Sequence, residues 1–121
     1  MSNIRAGTIS GVNGTDPVTL TKQSAAKAWV YGSTTAGLLG SFNLSSGTDH
    51  GTGDYTYSLT SSMADLYYSQ PVSAVTGNFD RTARRNSARH GAAVVAVETG
   101  NARLNIATDQ NHNASVHGDL A

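Results

Sequence analysis

The sequence predicts an all-β protein, an antiparallel β-sandwich or small barrel preceded by an extended N-terminal arm. Composition is the first observation: 14 Ser, 14 Thr and 13 Gly form a third of the 121 residues, whereas Glu occurs only at position 98 and Lys only twice. Such a chain is poor in helix formers and suits short strands. Spacing is the second, because turn formers recur about every eight to twelve residues. We expect an attachment arm over residues 1–24 and a β-sandwich domain over residues 25–121.

The small supply of core residues is the third observation. Leu, Ile, Val and Phe together number 22, about 18% of the chain, which is near the level at which chains become disordered. Disorder is not expected, because the formal net charge is zero and only 13% of the residues are charged. A patterned chain with few core residues often completes its core by association. We therefore expect an oligomer, specifically a homotrimer.

The arm pattern covers residues 3–20. Gly, Asn and Asp turn formers separate isolated apolar residues, so the segment has no helix face and cannot bury these residues alone. Fully extended, it would span roughly 55–60 Å. We expect it to dock on another protein through five apolar side chains: Ile4, Ile9, Val12, Val18 and Leu20.

Alternation predicts the first strands of the domain. "KAWVYG" places Ala28 and Val30 on one face and Trp29 and Tyr31 on the other. After "GSFNLSS", the run "DYTYSLTS" alternates in the same way. Its three large side chains share one face: Tyr55, Tyr57 and Leu59.

The second half of the domain centres on its most apolar run, "GAAVVAVET", which predicts a strand buried on both faces. Before it, Pro71 suits an edge strand or a bulge, and "RTARRNSARHG" predicts a loop. After it, "ARLNIAT" alternates, which predicts that Leu104 and Ile106 face the core. With the closing "ASVHGDLA", we expect six or seven strands.

The window "SSGTDHGTGDYTYSLT", residues 45–60, raises the question of a metal or phosphate site. An EF-hand loop would need a Glu at its twelfth position, and a phosphate-binding loop would lead into a helix, whereas a strand pattern follows here. Gly with positive φ and Asp bonded back to the backbone are typical of hairpins. The window therefore predicts a hairpin turn, and we expect no metal or cofactor.

Two longer stretches carry a resemblance to a known family. "SAAKAWVYG" followed by "SFNLSSGTDHGTGDYTYSLTSSMADLYYS" resembles a module of fibre-type virion proteins of tailed bacteriophages, especially marine phages. "IRAGTIS…PVTLT" is similar to the arm that precedes this module, and "VHGDLA" to its C-terminus. The resemblance covers roughly residues 4–70 well. Tyr31 and Gly32 stand where Asn-Phe is usual, and the Arg-rich segment lies in a variable region.

Four arginines fall within nine residues. A solvated loop whose charges are balanced by Asp80 and Glu98 is one interpretation. The other is contact with an anionic host-surface polymer or a neighbouring virion subunit, since guanidinium groups pair well with planar anions. General nucleic-acid binding is not expected of a neutral chain. The candidate contact residues are Arg81, Arg84, Arg85 and Arg89.

Histidines and aromatics offer weaker signals. The four histidines, at positions 50, 90, 112 and 117, have no metal-ligand spacing, so we expect them in exposed loops or strands. The alternative is a metal ion on a threefold axis through His112 or His117. The aromatics could form a sugar-stacking platform, but their strand spacing favours core or interface positions. We expect Trp29 to be the best-buried aromatic, and the core or interface set is Trp29, Tyr55 and Tyr57.

The residues and the resemblance together indicate a virion structural protein. We expect a short trimeric fibre or spike subunit, made in the host cytoplasm, attached to the particle by its arm and able to contact a host surface. Its partners would be its own copies and other capsid or tail proteins. The alternatives are a capsid decoration or cement protein and, less in keeping with the sequence, a glycan-depolymerising subunit. No nucleophile elbow or paired-carboxylate pattern predicts an enzyme, and no apolar run of about 20 residues predicts membrane insertion.

Overall fold

The computed structural model describes residues 25–121, which form nine strands and no helix. The predicted arm residues Ile4, Ile9, Val12, Val18 and Leu20 lie outside the described residues. Nine strands exceed the expected six or seven because several are very short. The strands are β1 (Ala28–Gly32), β2 (Leu38–Phe42), β3 (Leu44–Gly51), β4 (Asp54–Leu59), β5 (Val72–Ala74), β6 (Arg81–Arg85), β7 (Val94–Asn101), β8 (Ile106–Ala107) and β9 (His112–Val116).

Two antiparallel sheets form the domain. The four-stranded sheet has the order β2-β1-β9-β5, and the five-stranded sheet has the order β3-β4-β7-β6, with β8 added to β7. The all-β prediction is therefore confirmed, and the two sheets have the form of a β-sandwich. Edge strand β5 follows Pro71 directly, as expected for a residue that cannot donate to a sheet ladder.

The core lies where the inner faces of the two sheets meet. In β1, Ala28 and Val30 are buried, and in β4 the same alternation buries Tyr55, Tyr57 and Leu59. Both facing predictions are therefore confirmed. The centre of β7 is buried on both faces, as expected, because Val95 and Val97 face the core while Ala96 on the outer face is also inaccessible. The core cluster also includes Met63, Tyr68, Ala114 and Val116.

The core depends on tyrosines and small residues more than on large aliphatic ones. In the described part of the chain only five of the Leu, Ile, Val and Phe residues are buried, whereas Tyr55, Tyr57 and Tyr68 are all buried. Tyrosine suits this role because its ring is apolar and its hydroxyl can reach a partner. A count of aliphatic residues and Phe therefore underestimates the core, and the case for association depends on other observations.

The Arg-rich segment was predicted to be a loop, but its first five residues form strand β6. Pairing with β7 puts Ala83 opposite Thr99 and Arg84 opposite Glu98. Ala83 packs against the core, so Arg84 faces outward, where the carboxylate beside it balances its charge. Ala83 anchors the strand at the edge of the core, and Arg84 pairs with Glu98 on the outer face.

The prediction that Leu104 and Ile106 face the core is wrong, since they are 62% and 53% exposed. The segment turns instead of continuing as a strand. The backbone N–H of Leu104 donates to Asn101 Oδ1 at 3.0 Å, and Asn105 takes a φ of 52°. Asparagine tolerates this left-handed conformation. The alternation of side chains therefore does not continue across the turn and cannot predict which of them face the core.

Candidate functional site

The window of residues 45–60 forms a hairpin, as predicted. Strands β3 and β4 pair across it, and Gly51 and Gly53 adopt φ values of +131° and +67°. The N–H of Gly51 donates to Asp49 Oδ1 at 2.9 Å, and His50 Nε2 lies 2.8 Å from the hydroxyl of Thr56. A Cβ at Gly53 would collide with the carbonyl oxygen of Thr99. These contacts stabilise a turn and its close packing against β7.

A buried polar cluster lies between the sheets around His112, which is fully inaccessible. Nδ1–H donates to the carbonyl of Gln110 at 2.8 Å, so Nε2 accepts from the hydroxyl of Tyr57 at 2.7 Å. The imidazole also stacks on Tyr55 with ring centroids 4.7 Å apart. Burial lowers the pKa of His112 because a charged imidazolium would lose its hydration. The expectation of an exposed histidine is therefore wrong at this position, and its burial leaves it no access to a symmetry axis.

Burial also shifts the pKa values of the two core tyrosines. Burial raises the pKa of Tyr55 to about 12, helped by the hydrogen bond that its hydroxyl donates to Asp109 at 2.8 Å. Burial also raises the pKa of Tyr57. Asp109 accepts a second bond, from the N–H of Gly53 at 2.8 Å, and so ties the hairpin turn to the segment before β9. The cluster connects the two sheets internally, and the side chains of Tyr55, Tyr57 and His112 are all inaccessible.

An uncharged aromatic face covers the outside of the four-stranded sheet. We define the aromatic face by Trp29 and Tyr31 of β1 and Phe42 of β2, which pair as Trp29 with Phe42 and Tyr31 with Gly40. The ring of Trp29 lies over Gly40, where an added Cβ would sit 3.2 Å from it. A shallow apolar cavity of about 430 Å³ continues from this face to Pro71 and Asn113.

Trp29 was predicted to be the best-buried aromatic, and this prediction is wrong. Its 43% exposure contrasts with complete burial of Tyr55 and Tyr57. The reason is alternation: Ala28 and Val30 occupy the inner positions of β1, so Trp29 must point outward. Within this chain Tyr55 and Tyr57 occupy the predicted core positions, whereas Trp29 belongs to a surface.

A polar groove lies on the outside of the five-stranded sheet. Asp54, Glu98 and Arg84 are register partners across β4, β7 and β6, so they form one row. Arg84 Nε donates to Glu98 Oε2 at 2.7 Å, and Arg89 Nε lies 3.0 Å from both oxygens of Asp54. Asn86 Nδ2 donates to Asp54 Oδ1 at 2.9 Å. We call this cavity of about 450 Å³ the ion-pair groove; its other lining residues include Thr82, Gly100, Asn105 and Ile106.

The structure separates the four arginines that the sequence grouped together. Arg84 and Arg89 have carboxylate partners, Glu98 and Asp54. Arg81 and Arg85 alternate with Arg84 along β6 and so belong to its opposite face. Glu98 was expected to balance this region, but Asp54 was missed, because the hairpin assignment explained its presence. Its position opposite Glu98 depends on strand register, for which the sequence has no direct signal.

Residues 25–121 contain no group of three or more His, Cys, Asp or Glu side chains placed to bind a metal ion. The same residues include no helix with the length and apolar character needed to span a membrane. Comparison of the chain with protein-family models, curated proteins and solved structures gives no match.

Proposed function

We propose that the chain is a structural subunit of a bacteriophage virion. It forms a short trimeric fibre or spike, attached to the particle through its N-terminal arm, with its outer surfaces free to contact a host. The sequence resemblance over roughly residues 4–70 supports the phage assignment. A binding role is also supported by the groove, where the carboxylates of Asp54 and Glu98 are both engaged by arginines. A glycosidase, in contrast, keeps one carboxyl group as a proton donor.

The observation that carries the trimer proposal is the aromatic face. Trp29 and Phe42 are 43% and 55% exposed, so covering them would add roughly half of the ~1.5–3 kcal/mol that full burial of a large apolar side chain contributes. Neither these residues nor Tyr31 is charged, so copies of the chain would not repel one another there. Exposed apolar patches of this kind mark interaction surfaces.

A second copy is the occupant that we propose for this face. Strand β1 begins at Ala28, only a few residues after the arm. Association through the aromatic face would therefore bring the first described residues of all copies, where the proposed arms join the domain, near one another. Several arms acting together bind a particle far more tightly than one arm alone. The position of the face thus links self-association to attachment.

Light scattering on the purified full chain tests the trimer. We expect a mass about three times 12.5 kDa, and the double variant Trp29→Ser/Phe42→Ser should dissociate to a monomer. The matched control Leu104→Ser/Ile106→Ser removes two apolar side chains that are at least about half exposed, from β8 and the turn before it, and should stay trimeric. A wild-type monomer at micromolar concentration contradicts the proposal, and so does a trimer unaffected by the first variant.

Deletion of residues 1–20 tests the role of the arm. Every strand of the described domain lies beyond this segment, so the truncated chain should keep its β circular-dichroism signal and its trimeric mass. It should no longer rebind particles stripped of the native protein. Rebinding at the occupancy of the full chain would assign attachment to the sandwich domain and refute the proposed arm.

A further inference from the structure

The ion-pair groove contains hydrogen-bonding capacity that the domain itself does not use. Arg84 engages Glu98 through Nε and Oε2 only. Within residues 25–121 no contact occupies Glu98 Oε1 or the two terminal guanidinium nitrogens of Arg84, whose side chain is 77% exposed. A free acceptor and several free donors therefore stand side by side. The ion pair holds both in place, so little side-chain entropy is lost when a ligand binds.

The two ion pairs at the groove are balanced in charge. Asp54, Arg84 and Glu98 line the groove, and Arg89, which is not a lining residue, binds Asp54 from beside it. A polyanion would meet two carboxylates in the same row as Arg84, and like charges so close disfavour its binding. Recognition in this groove must come from directed hydrogen bonds, which favours a neutral ligand with many hydroxyl groups.

The rest of the lining has the same character. Thr82 and Asn105 add a hydroxyl and an amide, each of which can donate and accept. At Gly100 the carbonyl oxygen of Ile106 takes the place of a side chain, and the Ile106 side chain, which is 53% exposed, offers an apolar contact. The volume of about 450 Å³ falls within the roughly 300–1,000 Å³ of small-ligand sites. An open groove of this kind accommodates part of a chain that continues beyond it.

We propose that the ion-pair groove binds a segment of a neutral polysaccharide. Neighbouring hydroxyls of one sugar would donate to Glu98 Oε1 and accept from the terminal nitrogens of Arg84. Thr82 and Asn105 would bind the next hydroxyls, and Ile106 would contact the apolar face of a ring. The inference deepens the proposed function and rests on it only for the source of the ligand, a polymer of the host surface. The anionic polymer suggested by four clustered arginines is the alternative that the experiment distinguishes.

Nuclear magnetic resonance titration of the full-length protein tests this site. The probes are neutral hexasaccharides of glucose, mannose and xylose, with hexagalacturonate as the anionic comparison. At least one neutral probe should give saturable shifts at Glu98, Gly100 and Asn105, with a Kd that stays constant up to about 1 M salt. Hexagalacturonate should bind more weakly than that probe.

Two variants locate the binding. Arg84→Gln should weaken it at least tenfold, whereas Arg85→Gln, which changes the opposite face of the same strand, should leave the Kd unchanged. Thr82→Val is a milder second variant, expected to weaken binding about threefold with the fold intact. Absence of binding by every neutral probe overturns the proposal. Salt-sensitive binding of hexagalacturonate that depends on Arg85 does the same. Both results would leave trimer formation and particle attachment, measured separately, unaffected.

Discussion

The outer faces of the two sheets differ in chemistry although the strands of both sheets pair in the same antiparallel way. On the four-stranded sheet, Trp29 and Phe42 are exposed and lie opposite each other in register. On the five-stranded sheet, Arg84 and Glu98 form an ion pair across neighbouring strands. Covering an apolar surface with another protein surface lowers the free energy of the system. An ion-paired surface has no such need for cover, because water hydrates its charges. This difference fits the two proposals, the aromatic face for assembly and the ion-pair groove for a host-surface ligand.

The inner faces, in contrast, contribute jointly to one core. Val30 and Val116 from one sheet meet Tyr55, Tyr57 and Val97 from the other. Function in such a sandwich can therefore change on either outer face without repacking the core. If this separation holds, substitutions at inner positions should lower the stability of the domain more than substitutions at outer positions.

The largest expected effect compares Tyr57 with Trp29. Tyr57→Ala removes a fully buried ring and the hydroxyl that donates to His112, so it should lower the free energy of unfolding by about 3–5 kcal/mol. Trp29→Ala removes a ring that is 43% exposed and should change the stability of an isolated chain by less than about 1.5 kcal/mol. Urea unfolding followed by circular dichroism measures both.

Protein concentration distinguishes the two positions further. The midpoint of wild-type unfolding should rise with concentration if copies associate through the aromatic face, and Trp29→Ala should abolish that dependence. Tyr57→Ala should retain it at a lower midpoint. A large, concentration-independent loss for Trp29→Ala would show that the aromatic face belongs to the core of the single chain.

An intermediate effect concerns acid. Burial lowers the pKa of His112 in the folded chain, so between that value and about 6.5, the ordinary histidine pKa, the unfolded chain binds the extra proton. Stability contributed by neutral His112 is therefore fully present above pH 6.5 and is lost as the pH falls below it. We expect a slope of at most about 1.4 kcal/mol per pH unit for this one proton.

His112→Gln should flatten the acid slope, because glutamine does not titrate. His50→Gln is the control, since His50 is exposed on the hairpin, and it should keep the wild-type slope. Unfolding free energies measured from pH 7.5 to 5 decide between them. A slope that disappears with His50→Gln and persists with His112→Gln would contradict the assigned role of the buried imidazole.

Alternation predicted the fold where a strand has one buried face. The facing of β1 and β4 and the hairpin between β3 and β4 follow from residue order alone, since side chains alternate strictly along a strand. Where backbone conformation overrides alternation, as at Asn105, the prediction of buried Leu104 and Ile106 was wrong.

The candidate sites were harder to predict because they depend on pairing between distant strands. Arg84, Glu98 and Asp54 come together through the register of three strands, over a sequence separation of up to 44 residues. A one-residue shift of register would send any of them to the other face. Trp29 was misplaced for a different reason, since size and apolarity predict burial only on average.

The smallest expected effect lies within the ion-pair groove and compares its two pairs. Arg84 and Glu98 meet through one hydrogen bond, and the Arg84 side chain is 77% exposed, so a double-mutant cycle to alanine should give about 0.2–0.5 kcal/mol. Arg89 contacts both oxygens of Asp54, which also accepts from the buried Asn86. A carboxylate held by two partners is more ordered, so this cycle should give about 0.5–1 kcal/mol.

Salt provides the decisive measurement for the groove. Both coupling energies should fall between low salt and about 1 M salt, because exposed charges are screened. The Asp54 pair should keep the larger share, since its hydrogen bonds to Asn86 and Arg89 do not depend on long-range attraction. If the Arg84 pair proved the stronger, that arginine would be a structural element of the sheet. Weaker binding by Arg84→Gln would then have two explanations, a changed sheet or a lost ligand contact. Thr82→Val would become the variant that decides whether the groove holds a ligand.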